Sequence, residues 1–254
     1  MRRLMPLLLV LASAAVAAAA DLPEIPFEKY VLDNGLEVIL HEDHTIPSVS
    51  VNVWYHVGSK NEKPGRTGFA HLFEHMMFQG SQHHDDDYFA PLQRVGGQVN
   101  GSTNVDRTNY WENVPSEQLE LALWLESDRM GFLVPAMTEE RLANQKGVVQ
   151  NEKREGENEP YAVADELMTK LLFPPEHPYS HTVIGSMDDL SAATKQDVAD
   201  FFGLYYTPNN ASLCVAGDFD PAEAKALIAK YFGTIPPGRP VQRIRQWLPV
   251  LEGE

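Results

Sequence analysis

A single cysteine, Cys214, occurs in 254 residues. No internal disulfide can form, so the fold must rest on its core or on a bound metal. Within the apolar stretch Ser212-Leu213-Cys214-Val215-Ala216, this thiol is expected to be a buried small hydrophobe and not a nucleophile. Positive charge is also scarce: 20 Lys and Arg stand against 36 Asp and Glu, a net charge of -16. So acidic a chain is not expected to hold nucleic acid through its phosphates. After the first twenty residues no apolar run is long enough to span a bilayer. Internal repeats and low-complexity tracts are lacking there too.

What is present begins with a leader. Arg2 and Arg3 precede an apolar run opening at Leu7, and Ala18-Ala19-Ala20 before Asp21 form an A-x-A type cleavage site. Residues 1–20 are expected to be a cleavable signal peptide, and the mature chain to be exported, into a periplasm or out of the cell. With 43% hydrophobic and 22% charged residues, the chain has the composition of a globular protein that can bury a core.

Two strands, 29–32 and 36–40, flank Asp33-Asn34-Gly35, a hairpin turn signal. A third, 48–56, alternates, with Val49, Val51, Val53 and Tyr55 on one side. Helix 69–78 ends at Gly80, and a short helix reaches Val95 before Gly96-Gly97. A second strand pair, 98–104 and 108–114, follows. Helices are then expected over 117–132, from Thr138 to about Glu157, over 162–173 and across most of 187–205. Strand 211–216 precedes a last helix that Pro221 opens. Hairpins without regular βαβ units indicate an α+β fold, a mainly antiparallel sheet with helices packed on it. The proline-containing tail 236–254 reads as a linker towards a domain outside this chain, which leaves 21–235 as the main domain.

The chemistry concentrates in His71-Leu72-Phe73-Glu74-His75. On a helix, residues four apart lie ~40° from each other on one face, so both imidazoles can reach one ion. Glu74 sits near the same edge, where a carboxylate can activate water. This is the inverted order of the better-known H-E-x-x-H zinc motif. The flanking Phe69, Ala70, Leu72, Phe73, Met76 and Met77 are apolar. Polar groups buried among them cost several kcal/mol unless paired or bound to metal. A catalytic zinc takes a third protein ligand. The segment 148–155 offers two carboxylates for it, Glu152 and Glu155.

These residues resemble the signature of the pitrilysin/insulinase family of inverted-motif zinc metallopeptidases, which includes the mitochondrial processing peptidases. The similarity runs from about Phe27 to Phe232. It includes Trp54-Tyr55-His56-Val57-Gly58-Ser59-Lys60-Asn61-Glu62, the run from Gly68 to Phe78, Gly96-Gly97 to Tyr110, Asp128-Arg129-Met130, Val148 to Glu152, and Tyr206 to Gly217. The resemblance implies one Zn2+ held by His71, His75 and Glu152, the last in an N-E pair 77 positions after His75. Glu74 is implied as the general base. An extended peptide or unfolded protein substrate is implied to pair with an edge strand at Asn100 and Gly101. Members of this family pair such a half with a related second one, in the same chain or in a partner. One departure stands out: Gln145 occupies a position, seven residues before Glu152, where the family commonly has a glutamate. An amide there keeps a hydrogen-bonding oxygen and loses the charge.

The implied activity is peptide-bond hydrolysis. The alternative is a non-catalytic peptide-binding or assembly subunit, and such partners tend to have lost metal ligands. Other polar residues receive structural expectations. His83 and His84, before Asp85-Asp86-Asp87, read as a solvated loop tip more than as a second cation site. His177 and His181 read as structural, and His56 as packed. Asn100-Gly101-Ser102 and Asn210-Ala211-Ser212 match the glycosylation pattern.

Overall fold

A computed structural model describes residues 24–244. The expected signal peptide and the end of the expected linker lie outside the described residues. Six strands form one sheet: β1 (Glu28–Val31), β2 (Glu37–Glu42), β3 (Ser48–Tyr55), β4 (Gln98–Thr103), β5 (Thr108–Pro115) and β6 (Ala211–Gly217). Their order is β1-β2-β6-β3-β5-β4. Among the described residues only β2 and β6 run parallel, so the sheet is mainly antiparallel as expected.

The β1–β2 hairpin turns where Asp33-Asn34-Gly35 predicts, with Gly35 at φ +89, a conformation that suits a residue without Cβ. Asn34 does more than turn the chain. Its buried amide donates to the carbonyls of Phe232 and Ile235, 2.8 and 2.9 Å away, and so pins the far end of the domain to this hairpin.

Alternation along β3 separates the two faces of the sheet. Val49, Val51, Val53 and Tyr55 are fully buried, each apolar side chain contributing about 1.5–3 kcal/mol. Val38, Leu40, Leu213, Val215, Tyr110 and Val114 extend this core across the neighbouring strands. On the opposite face, Ile39, Ser50, Asn52, Trp54, Ser212, Cys214 and Ala216 line an open groove of about 420 Å³. Cys214 is therefore half-buried on that face and not in the core with Leu213 and Val215.

The main helices are α1 (Phe69–Met76), α2 (Phe89–Arg94), α3 (Leu119–Ala136), α4 (Glu139–Glu157), α5 (Ala162–Leu172), α6 (Met187–Ala192), α7 (Lys195–Tyr205) and α8 (Pro221–Phe232). α3 lies on β3 and β5, and α1 lies on β4 and β5. α1 in turn packs against α4 and α7. Helix is expected across most of 187–205, and the structure divides that stretch in two. Thr194 and Asp197 form a reciprocal cap that starts α7 afresh. Helix α5 leaves Val163, Leu167 and Leu171 exposed at helical spacing, together with Met168 and Leu172.

Candidate active site

α1 and α4 bring the candidate ligands together. The Nε2 atoms of His71 and His75 stand 3.3 Å apart. Glu152 Oε2, on α4, lies 3.7 Å from His71 Nε2 and 3.3 Å from His75 Nε2. Two ligand atoms, each ~2.0–2.1 Å from a zinc ion at tetrahedral angles, are themselves ~3.3 Å apart. The three side chains thus have the spacing of one tetrahedral centre with a position left over. Glu155 is not part of this group.

Burial fits the same reading. The side chain of His71 is 13% exposed and that of Glu152 is 49% exposed, so the cluster opens on the α4 side. Burial pushes the His71 imidazole below its usual pKa, while Glu152 pulls it back up. The ring is held neutral, with a lone pair to give. His71 Nδ1 is buried and has no hydrogen-bond partner among the described residues. A buried Nδ1 without a partner is costly, and the other ring nitrogen, Nε2, faces His75 Nε2 and Glu152 across a gap that suits a shared cation.

Glu74 sits beside these ligands, half-buried on the same helix and facing β4. Gly101 provides the room. A Cβ at Gly101 would meet the Tyr110 ring at 3.0 and 3.1 Å and Glu74 Cγ at 3.3 Å. Tyr110 cannot easily give way, because its ring is fully buried and its hydroxyl reaches the Phe73 carbonyl at 3.4 Å. Asn100 is exposed on β4, the last strand of the sheet, and its Oδ1 accepts the Gly101 N–H at 2.8 Å. Gln145 is buried on α4, and no hydrogen bond joins it to His71, Glu74, His75 or Glu152 among the described residues.

The remaining polar candidates separate. His83 belongs to no loose tip: its Nδ1 lies 2.5 Å from Asp128, a buried carboxylate that also accepts from Ser81. Asp85 pairs with Arg141 at 2.6 Å, so the aspartate run does not gather around the histidines. His177 stacks on Phe173, and His56 meets Ser212 Oγ at 3.1 Å. Asn210 is buried, with its amide on the Tyr205 carbonyl, which removes that glycosylation candidate.

Glu62 was legible only as part of the family signature, with no role attached. Its side chain is fully buried. Burial raises its carboxyl to about 8, opposed by backbone hydrogen bonds from Ala70, Gly68 and Phe69.

With this geometry in view, similarity to known proteins is informative. The sequence profile of the insulinase family, peptidase family M16, matches residues 37–180, more than half of the chain. The chain belongs to the M16 family. A second profile, the M16 inactive domain, matches residues 192–254, a stretch that holds none of the three candidate ligands. The zinc protease PqqE of Helicobacter pylori is 32% identical over 231 residues, 90% of this chain and 51% of that protein. The first half of the periplasmic protease PqqL from Escherichia coli has a TM-score of 0.77 at 25% identity, covering 87% of this chain and 48% of that one. Pitrilysin, at 22% identity and a TM-score of 0.79, shares the fold. This M16 chain spans about half the length of the curated relatives it matches.

Proposed function

We propose that this chain is the metal-binding half of a zinc-dependent metalloendopeptidase acting on peptides or small unfolded proteins. The observation that carries the reading is the convergence of His71, His75 and Glu152 at distances that suit one zinc ion. Relatives named as zinc proteases support the choice of metal. When bound, zinc supplies Lewis acidity to the scissile carbonyl and lowers the pKa of a water towards ~7.

His71, His75 and Glu152 hold the ion. Glu74 accepts a proton from the attacking water and returns it to the leaving amine. Gly101, without a Cβ, leaves the Glu74 side chain its room on the β4 side. The substrate adds as a further strand along β4, with Asn100 and Gly101 contacting its backbone. Gln145 lines the α4 face beneath Glu152 as an uncharged hydrogen-bonding side chain. Residues 21–235 form this domain, and 236–254 lead towards a second M16 half, in the same protein or a partner, that completes the substrate chamber. Export through the leader to the periplasm fits the description of PqqL as periplasmic. Among the described residues no helix is long and apolar enough to cross a membrane.

The match of 192–254 to an inactive domain keeps a second reading in play, a non-catalytic assembly subunit. Peptidase assays with and without a chelator, run with a second M16 half present, separate the two. Glu74→Gln should retain zinc and lose hydrolysis, whereas His71→Ala should lose both. Near-normal cleavage by Glu74→Gln would sink the general-base assignment. A native protein that binds no zinc would favour the assembly role.

A further inference from the structure

Helix α1 begins without a cap of its own. Its N-cap is Gly68, at φ +88, and no side chain at that position can accept the free amides of the first turn. The backbone must pass close here: a Cβ on Gly68 would lie 2.6 Å from the Ile184 carbonyl oxygen and 3.3 Å from Gly185 Cα. The usual capping residues Ser, Thr, Asp and Asn are therefore excluded by space as well as by φ.

The missing acceptor comes from six residues upstream. Glu62 ends the short turn Ser59–Asn61 and turns its fully buried carboxyl group into the start of α1. One oxygen accepts the Gly68 N–H at 2.9 Å and the other accepts the Ala70 N–H at 2.8 Å. Asp189 accepts the Thr67 N–H at 2.9 Å just before them. His181 Nδ1 approaches Glu62 at 3.7 Å and closes the far side. The next residue after Ala70 is His71. The amides that Glu62 holds are thus those of the turn that carries the first candidate ligand.

We propose that Glu62 is a positioning residue for the metal centre, fixing the first turn of α1 so that His71 Nε2 stays at ligand distance from His75 and Glu152. This rests on the zinc-peptidase reading above. A carboxyl group suits the task because it presents an oxygen lone pair to each of two amides, with or without its own proton. Glu62→Gln keeps the size and one acceptor, but its NH2 must face one of the amide N–H groups. The helix start then shifts to separate two donors, and His71 shifts with it.

The test is zinc affinity of the full chain, measured by competition with a chromogenic chelator, beside thermal unfolding of the metal-free protein. Asp220→Ala is the control. Asp220 caps α8 in the same manner, accepting from Ala222 and Glu223 at 2.8 Å each, on a helix with no candidate ligand. Both variants should lower the melting temperature of the metal-free protein. Only Glu62→Gln should weaken zinc binding, by roughly 10–100-fold, as loss of a residue that orients a ligand does. Glu62→Asp, which keeps both oxygens on a shorter arm, should recover part of that loss, and it replaces Glu62→Gln in the comparison if the latter does not fold. Zinc affinity within threefold of native in the folded variant overturns the positioning role and leaves the zinc site standing. Absence of zinc binding in the native chain takes down both.

Discussion

At the scale of single residues, the most demanding environment belongs to Arg129. Its guanidinium is fully buried, 3.1 Å from Glu112 Oε1 and in contact with both oxygens of Glu126. The Tyr88 and Tyr110 rings lie over it, each 4.2 Å from centroid to guanidinium carbon. Two acids and one base share this pocket, and burial pushes the Glu112 carboxyl well above its usual range, helped by the Glu126 carboxylate beside it. Glu112 therefore keeps its proton to higher pH in the folded protein than in the unfolded chain. The sign follows: the stability associated with that proton is full below about pH 4.5 and declines as pH rises towards the raised value. Glu112→Gln imitates the protonated form, so it should fold normally and show a shallower decline in urea midpoint between pH 5 and 8 than the native protein. Arg129→Met leaves two buried acids without their cation and should lose about 3–5 kcal/mol in the same experiment. A loss below about 1 kcal/mol would mean that the acids are served by solvent, contrary to their burial. Neither effect was foreseeable from sequence. Asp128-Arg129-Met130 stood out only as part of a family signature, and nothing local says that Arg129 points inwards to partners 17 and 3 residues away.

At the scale of elements, local patterns were legible and long-range pairings were not. The alternation of β3, Thr138 at the start of α4 and Pro221 at the start of α8 depend on neighbours in sequence, and the structure has them: Thr138 accepts from the Arg141 N–H, and Pro221 opens α8. The pair His71 and His75 was legible for the same reason, since helical spacing alone puts them on one face. Insertion of β6 between β2 and β3 is another matter, because its partners lie about 160–175 residues earlier and its apolar run marks only a strand. Glu62 escaped a residue-level reading because a cap reaching from a preceding loop has no fixed spacing. The parallel β2–β6 pair also carries a pH-sensitive tie. His44, just after β2, contacts Asp218, just after β6, at 2.5 Å and Glu42 at 2.6 Å. Asp218 and then Glu42 raise its pKa above the usual 6.5. A raised histidine contributes stability that is fully present below pH 6.5 and lost as pH climbs through the raised value. Melting temperatures from pH 6 to 9 should therefore fall further for the native protein than for His44→Gln. Parallel curves would assign the tie no weight, as solvent screening of an exposed pair allows.

For the whole molecule, the two helices that carry the candidate ligands are the point of interest. α1 sits on the sheet at β4 and β5, whereas α4 packs on α1 and carries α5 and α6. Of the nineteen residues of α4, only Leu142, Gln145 and Val149 are buried, a thin apolar contact for a helix of that length. A metal shared between His71 and His75 on one helix and Glu152 on the other ties this outer layer to the sheet, 77 residues away along the chain. It does so where packing is weakest. Zinc that binds the folded chain and not the unfolded one adds about 2.7 kcal/mol of stability at a free concentration of 100 times its Kd. For a chain of this size each kcal/mol moves the melting temperature by about 2–4 °C, so saturation should raise it by roughly 5–10 °C. Chelator should reverse the shift, and His71→Ala and Glu152→Ala should each abolish it. Glu74→Gln should keep it, because Glu74 acts on water and holds no metal in the proposed site. That last contrast separates ligand from base without any measurement of cleavage, which matters for a chain about half as long as its M16 relatives. If Glu74→Gln removed the shift as completely as His71→Ala, Glu74 would have to be counted among the ligands, and the base would have to be sought in another residue.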